Sequence, residues 1–594
     1  MTGTQPGMGA IPYDGGVTFR VWAPRARAVR VAGEFTTWAA GAVSLDDDGG
    51  GYWSTDVRGA RIGHAYRFLL TGFSGDTLWR TDPYAREMRN SNGDCVVYDP
   101  AFDWGAGFTM PTWDELVVYE LHVGTFNREG DGKGLPEVAA KLPYLAALGV
   151  TAVLVLPPAE FPGESSWGYN SSAIFTVETD YGGPDAFRAF VRAAHDQGIA
   201  VLVDVVYNHF GTNDSAVYLF DGWRDDDHPD GIYIYDRARA TTPWGKTRPD
   251  YGRPEVRQYL RDNARMWLHD YQADGLRFDM TPYVTGVDAG WPPLPDGVAL
   301  LRWILTEVDR EQPWKLTMAE DLHRNPWVTR PVEDDGLGFD TQWDDQFVDT
   351  VRGVLAQPRD DDRSIAALAA ALRGPDEGGW TARTAYVESH DEVAHSNGGT
   401  RLPALADRGD PRSWYARKRA ILGAALTLTA PAIPLLFQGQ EWLEVLAWND
   451  AVALDWSDES GRAGHVALFR DLIALRRNAG YTTAGLRGPH LDVHHVNDAD
   501  KVIAYHRWAA GGPGDDVVVL ANLANHAWPA YAIGMPRGGG WRVRLNADWA
   551  GYDAEFGGLP VLDTSADGPG RDGMPCSATV ALPRYGVVVL SQDR

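Results

Sequence analysis

Hydrophobic positions fall into three successive patterns along the chain. Up to about residue 105, short runs alternate apolar and polar positions between turn residues. These are VTFRVWAP (Val17 to Pro24), AVRVAGEF (Ala28 to Phe35), GYWSTDV (Gly51 to Val57) and HAYRFLL (His64 to Leu70). A period of two in runs this short predicts strands with one buried face, and hence a small β-sandwich. From about residue 114 apolar runs alternate with amphipathic helical stretches. ELVVYELHV leads to LPEVAAKLPYLAALG, with Gly149 as a natural C-cap, and then to VTAVLVLPP. PDAFRAFVRAAHDQG precedes IAVLVDVVYNH, and PEVRQYLRDNARMWLHDYQ, with Pro254 in its first turn, precedes GLRFDM. LRWILTEVDRE leads to WKLTMAED, followed by GLGFDTQWD, TARTAYVESHDE and, after ILGAALTLTA, IPLLFQGQE.

Eight strand candidates joined by helices predict an α/β fold, a (β/α)8 TIM barrel with its working face at the C-terminal strand ends. Beyond about residue 483, LDVHHVN, KVIAYHRW, DVVVLANLA, WRVRLNAD and YGVVVLS predict a C-terminal antiparallel β-domain. The expected domains are therefore 1–105, 106–482 and 483–594, with a long polar insertion at about 210–254. A loop of that length is functional or an inserted subdomain. Its acidic run DGWRDDDHPDG (Asp221 to Gly231) lacks a regular oxygen-ligand spacing, so it reads as a solvated loop and not as a calcium site.

Bulk properties narrow the function classes. A formal net charge of -27 repels phosphate backbones and anionic lipid, so neither nucleic acid nor membrane is an expected partner. Only Cys95 and Cys576 are present, which suggests neither a disulfide framework nor a cysteine metal site. The start MTGTQPGMGAIPYDGG has no basic segment and no apolar h-region, so the expected location is cytoplasmic. With 24 Trp and 24 Tyr, the chain carries rings of the kind that stack on pyranose faces. Trp38 and Trp53 in the first domain either do this or pack the sandwich.

Four segments at strand ends carry the chemistry: DVVYNHF (Asp204 to Phe210), DGLRFDM (Asp274 to Met280), MAEDL (Met318 to Leu322) and ESHDEV (Glu388 to Val393). Cleaving a glycosidic bond through an oxocarbenium-like transition state needs a carboxylate at the anomeric carbon and a carboxylic acid at the leaving oxygen. Asp279 and Glu320 end consecutive strands and suit that pair, at roughly 5 to 5.5 Å for a retaining enzyme. Arg277 points to the same side of its strand as Asp279 and can hold it by a charge-assisted hydrogen bond. Glu320 needs a raised pKa, for which Asp391 is the expected like-charge neighbour. No cofactor and no metal is expected. The nearest metal-type pair, Asp204 and His209, falls short of a ligand cluster.

Carried on these four segments and on WGYN (Trp167 to Asn170), the chain resembles the α-amylase superfamily of glycoside hydrolases and transglycosidases, family 13. The resemblance implies that the first domain is of carbohydrate-binding type. It implies Asp279 as nucleophile, Glu320 as general acid/base and Asp391 as the residue that holds substrate hydroxyls. It also implies substrate-binding roles for Tyr169, Asp204, His209, Arg277 and His390, with Asp204 orienting Arg277 and Tyr169 forming a stacking floor. An α-glucan or maltooligosaccharide is the implied substrate.

ESHDEVAHSNG resembles 1,4-α-glucan branching enzymes, while YELHVGTF, EFPGESSWGYN, TPWG and DTQWDDQF resemble maltooligosyltrehalose trehalohydrolases. The chain departs from both. Branching enzymes of bacteria usually differ at DVVYNH and MAED. Trehalohydrolases usually carry an alanine and a histidine soon after the nucleophile, where Met280, Thr281, Pro282 and Tyr283 stand here. Branching is the favoured expectation, with hydrolysis as the alternative and a non-catalytic glucan-binding protein as the reading from another class.

Overall fold

The structure, a computed structural model, describes residues 5–594 apart from 129–131, 213, 323 and 375–378. Eight parallel strands close into a barrel in sequence order. They are β1 (Val118–Leu121), β2 (Ala152–Val155), β3 (Ala200–Val205), β4 (Gly275–Phe278), β5 (Leu316–Ala319), β6 (Thr341–Trp343), β7 (Arg383–Ala385) and β8 (Ile433–Phe437). β8 pairs back onto β1, with Val118 opposite Leu435. Each strand lies inside a run that the hydrophobic pattern marks.

Alternate residues of these strands fill the barrel. Val118, Ala152, Leu154, Ala200, Leu202, Leu316, Met318, Trp343, Ile433 and Leu435 form one buried apolar cluster. Packing there is close enough that a side chain at position 275 cannot fit, because a Cβ on Gly275 would lie 2.2 Å from the Leu316 carbonyl oxygen. A second, larger core runs without interruption from Phe19 and Phe68 of the N-terminal sheets through Val153 and Val203 to Leu472 and Val519. The three parts therefore share buried surface.

Local departures from the pattern have local causes. LPEVAAKLPYLAALG forms two helices, Leu135–Ala139 and Leu142–Leu148, because Pro143 has no N–H to continue the ladder and instead opens the second helix. Gly149 caps that helix at φ 100°, as its position predicts. PEVRQYLRDNARMWLHDYQ is α-helical over Pro254–Arg265 and widens to a π-turn over Met266–Asp270. Among the C-terminal strands absent from the pattern reading, Trp528–Met535 and Cys576–Leu582 pair with each other.

The N-terminal region is two packed antiparallel sheets, one of four strands and one of six. Trp53 is partly buried and donates from Nε1 to the Ala23 carbonyl at 3.1 Å, which is a packing role. Trp38 lies beside Trp79 with ring centroids 6.3 Å apart, and Trp79 is 39% exposed. The 210–254 insertion is less solvated than its composition predicts. Asp225, Asp226 and Asp227 are exposed, but Asp221 is fully buried and accepts from the Arg25 and Trp223 amides. Arg80 donates to the carbonyls of Phe220 and Leu219 at 2.6 and 2.8 Å, so the insertion clamps the N-terminal sheets to the barrel.

Candidate active site

The inward columns of three neighbouring strands change from apolar to charged at the same height. β3 runs Leu202 then Asp204, β4 runs Gly275, Arg277 then Asp279, and β5 runs Leu316, Met318 then Glu320. The period of two puts each series on one face. Asp204 and Arg277 are direct partners in the β3–β4 register, so their side chains meet without any loop to arrange them.

Arg277 is the hub. Fully buried, it donates from Nη1 to both Asp204 oxygens at 2.9 and 2.7 Å and to Asp279 Oδ1 at 3.0 Å. Nη2 lies 2.7 Å from Glu320 Oε2, a contact that strand spacing alone does not predict. The indole of Trp343 lies 4.6 Å from the guanidinium centre. Neither Arg277 nor Asp204 has any exposed side-chain surface. They therefore sit beneath the floor of the site and reach the cavity only through the groups they hold. Burial raises the Asp204 carboxyl to about 6 against the pull of Arg277, with Asp279 adding to the rise.

Asp279 is held from a second side by Asn208, whose amide donates to Oδ2 at 2.5 Å and to the Asp279 carbonyl at 2.8 Å. Glu320 accepts from the Met280 amide at 2.9 Å. Met280 has φ 36°, a left-handed conformation that costs a non-glycine residue and turns this N–H toward Glu320. Burial drives the Glu320 pKa well above the usual carboxylate range. Arg277 opposes that shift, while Asp279 and then Asp391 add to it. The direction matches the expectation, but burial leads and Asp279 outranks Asp391, whose side chain is 41% exposed.

On the far side, the Tyr169 hydroxyl donates to Asp204 Oδ2 at 2.6 Å and meets His390 Nε2 at 3.0 Å. The Tyr169 and His390 rings stack at 5.4 Å. His390 Nε2 is 3.3 Å from Asp391 Oδ2, and its Nδ1 is 2.6 Å from Glu120 Oε1. His209 contacts the Asn208 side-chain oxygen through Nδ1 and stacks on Trp244 at 5.2 Å. Its burial lowers the imidazole pKa and favours the neutral ring.

A cavity of about 770 Å³ opens over these groups. Tyr169, His209, Asp279, Glu320, His390 and Asp391 all line it, joined by Trp167 and Trp244. Glu120, Asn208, Trp167, Trp244 and Trp343 were missed as site residues. Asn208 had a signal, since it adjoins His209 inside DVVYNHF. Glu120 had another, as an acid in the middle of the apolar run ELVVYELHV. Among the described residues, no group of three or more His, Cys, Asp or Glu side chains is arranged to hold a metal ion.

The profile of carbohydrate-binding module 48, the isoamylase N-terminal domain, matches residues 7–85. The alpha amylase catalytic domain matches 84–230, and the alpha amylase C-terminal all-beta domain matches 493–593. A 1,4-alpha-glucan branching enzyme GlgB of Dechloromonas aromatica is 31% identical, over 99% of this chain and 97% of its own. The chain belongs to the α-amylase family. Another member, the 1,4-alpha-glucan branching enzyme GlgB of Marinobacter nauticus, is 30% identical over 97% of this chain and 94% of its own. The pullulanase of Anoxybacillus sp. LM18-11, solved with maltotetraose, superposes with a TM-score of 0.75 at 21% identity. It covers 98% of this chain and 87% of its own, a likeness of fold. Among the described residues, no helix of this α-amylase-family chain is long and apolar enough to cross a membrane.

Proposed function

We propose that the protein is a retaining transglycosylase that cuts α-1,4-glucan and rejoins the released segment as an α-1,6 branch. The observation that carries the reading is the full-length similarity to relatives named 1,4-alpha-glucan branching enzyme. The tie of Asp279 and Glu320 to one guanidinium supports the retaining chemistry. Holding both carboxylates on a single fork favours the short separation of retaining enzymes over the wider gap that must admit water.

In this reading Asp279, fixed by Arg277 and Asn208, attacks the anomeric carbon. Glu320, kept protonated by burial, gives its proton to the leaving oxygen. Esterification of Asp279 then removes one of the charges that raise the Glu320 pKa, while Arg277 remains beside it. Glu320 is thereby released to act as base toward the incoming hydroxyl. Asp391, His390 and His209 bind sugar hydroxyls, and Tyr169 offers its ring. Residues 1–105 act as a glucan-binding domain through the Trp38 and Trp79 rings, 106–482 as the catalytic barrel and 483–594 as the C-terminal β-domain.

The experiment is covalent trapping. A slow-reacting fluorinated maltosyl fluoride, followed by proteolysis and mass spectrometry, is expected to label the peptide containing Asp279. Label on any other carboxylate contradicts the assignment.

A further inference from the structure

Glu120 is the acid that neither the strand-end motifs nor the proposed chemistry uses. It stands on β1 in an inward column, two residues above Val118, and it is fully buried. A carboxylate in that position needs partners, since an unpaired buried charge is among the costliest features a fold can hold. Its partners both belong to one residue of the site. Oε1 lies 2.6 Å from His390 Nδ1, and Oε2 accepts the His390 backbone amide at 3.1 Å. A carboxylate can only accept, so Nδ1 carries the proton and donates. The other ring nitrogen, Nε2, is left facing Tyr169 Oη at 3.0 Å and Asp391 Oδ2 at 3.3 Å, on the cavity side.

We propose that Glu120 is a positioning residue. It grips His390 at the ring and the backbone together, fixes Nδ1 as a donor, and so holds a charged imidazolium whose Nε2–H serves Asp391 and the sugar. This deepens the glucan reading of the site and rests on it. The groups facing His390 divide clearly. From β1 comes Glu120, from the residue just after that strand His122, from the turn of His390 itself Asp391, from the loop after β2 Tyr169, and from β4 Arg277. Burial by itself lowers the proton affinity of this ring, as Arg277 also does, yet Asp391 and Glu120 outweigh both and hold it at about 9. Nearby His122, which lacks a carboxylate partner, is pushed down by burial to about 4. His390 and Arg128 also lower His122, so the contrast gives the direction of what the acids contribute.

The test separates Glu120 from the glucan reading. In protein carrying isotope-labelled histidine, NMR titration of the free state follows His390, identified by the signal lost in His390→Asn. Glu120→Gln is expected to weaken its proton affinity by about tenfold or more, whereas Glu120→Asp, which keeps the charge, is expected to preserve most of it. An unchanged titration in Glu120→Gln, or an equal fall in Glu120→Asp, overturns the proposal.

Binding supplies the second readout, in a Glu320→Gln background that removes the titration of the acid. Maltoheptaose affinity is expected to stay level from about pH 6 to about pH 8.5 while Glu120 is present, and to fall about tenfold over that range once Glu120→Gln is added. A level profile in the double variant contradicts the role. Loss of all maltoheptaose binding in Glu320→Gln alone contradicts the glucan reading instead, and the histidine titration still decides Glu120.

Discussion

At the scale of single residues, one guanidinium organises three carboxylates that differ in burial and in what else they touch. Glu320 has one backbone donor, and burial raises its pKa well above the usual carboxylate range, so it retains a proton. Asp279 has two side-chain donors, Arg277 and Asn208, and lines the cavity. Asp279→Asn and Glu320→Gln are each expected to reduce turnover by about a thousandfold or more while leaving the thermal midpoint near that of the parent. Steady-state assays on amylose check the first part and scanning calorimetry the second. Activity above a few per cent of the parent in either variant contradicts the assignment.

These placements were legible in the sequence because inward positions recur every second residue and the polar ones cluster where strands end. Arg277 and Asp279 share a face for that reason, and Asp204 needs only the neighbouring strand. The link from Arg277 to Glu320 was not legible, because Glu320 lies just past the end of β5 and strand spacing does not say which neighbouring carboxylate each guanidinium nitrogen meets. Asp391 was given too much of the Glu320 shift because sequence adjacency to a motif says nothing of exposure. Glu120 stayed hidden because a strand reading scores VVYEL by its apolar majority.

At the scale of elements, the 210–254 insertion changes what the N-terminal sheets can be asked to reveal. Arg80 and the amide of Arg25 bond to it, and Tyr84 packs on Tyr259 of the Pro254–Arg265 helix at 5.2 Å. Removing residues 1–105 therefore strips buried surface from the barrel and confounds binding with stability. Point changes separate the two. Trp38 is partly buried and Trp79 is 39% exposed, so replacing both by Ala removes ring surface with little loss of core. The double variant is expected to bind long amylose several-fold more weakly, on the order of 1 kcal/mol or more for lost ring stacking. Its rate on maltoheptaose is expected to stay unchanged. Affinity electrophoresis in glucan gels, paired with assays on the short substrate, checks both. Equal losses on long and short substrates indicate a structural role for the pair.

At the scale of the whole molecule, buried acids set the pH dependence of stability. Burial raises Glu178, Glu441 and Asp340 to about 7, and His390 stands at about 9. In each case the folded state binds its proton more tightly than the unfolded chain. For the three acids the resulting stabilisation is complete below the ordinary carboxylate values and disappears as pH rises through about 7. For His390 it is complete below 6.5 and lost through about 9. His122 acts in the opposite sense, but its window lies between about 4 and 6.5. The net charge of -27 adds self-repulsion that grows as the remaining groups deprotonate. The thermal midpoint is therefore expected to fall by about 2–4 °C between roughly pH 6.5 and pH 8.5. Scanning fluorimetry at fixed ionic strength measures it, and a midpoint that rises over this interval contradicts the assigned directions.

The barrel, its flanking β-domains and the carboxylates on Arg277 are common ground for hydrolysis and transfer, which diverge only in what attacks the glycosyl-enzyme. The decisive measurement is therefore linkage and reducing-end content on the same sample. Purified protein is incubated with amylose, proton NMR resolves α-1,6 from α-1,4 anomeric signals, and a reducing-sugar assay runs in parallel. The account predicts a growing α-1,6 signal with little gain in reducing ends. Rising reducing ends without α-1,6 signal would make the protein a hydrolase and contradict it.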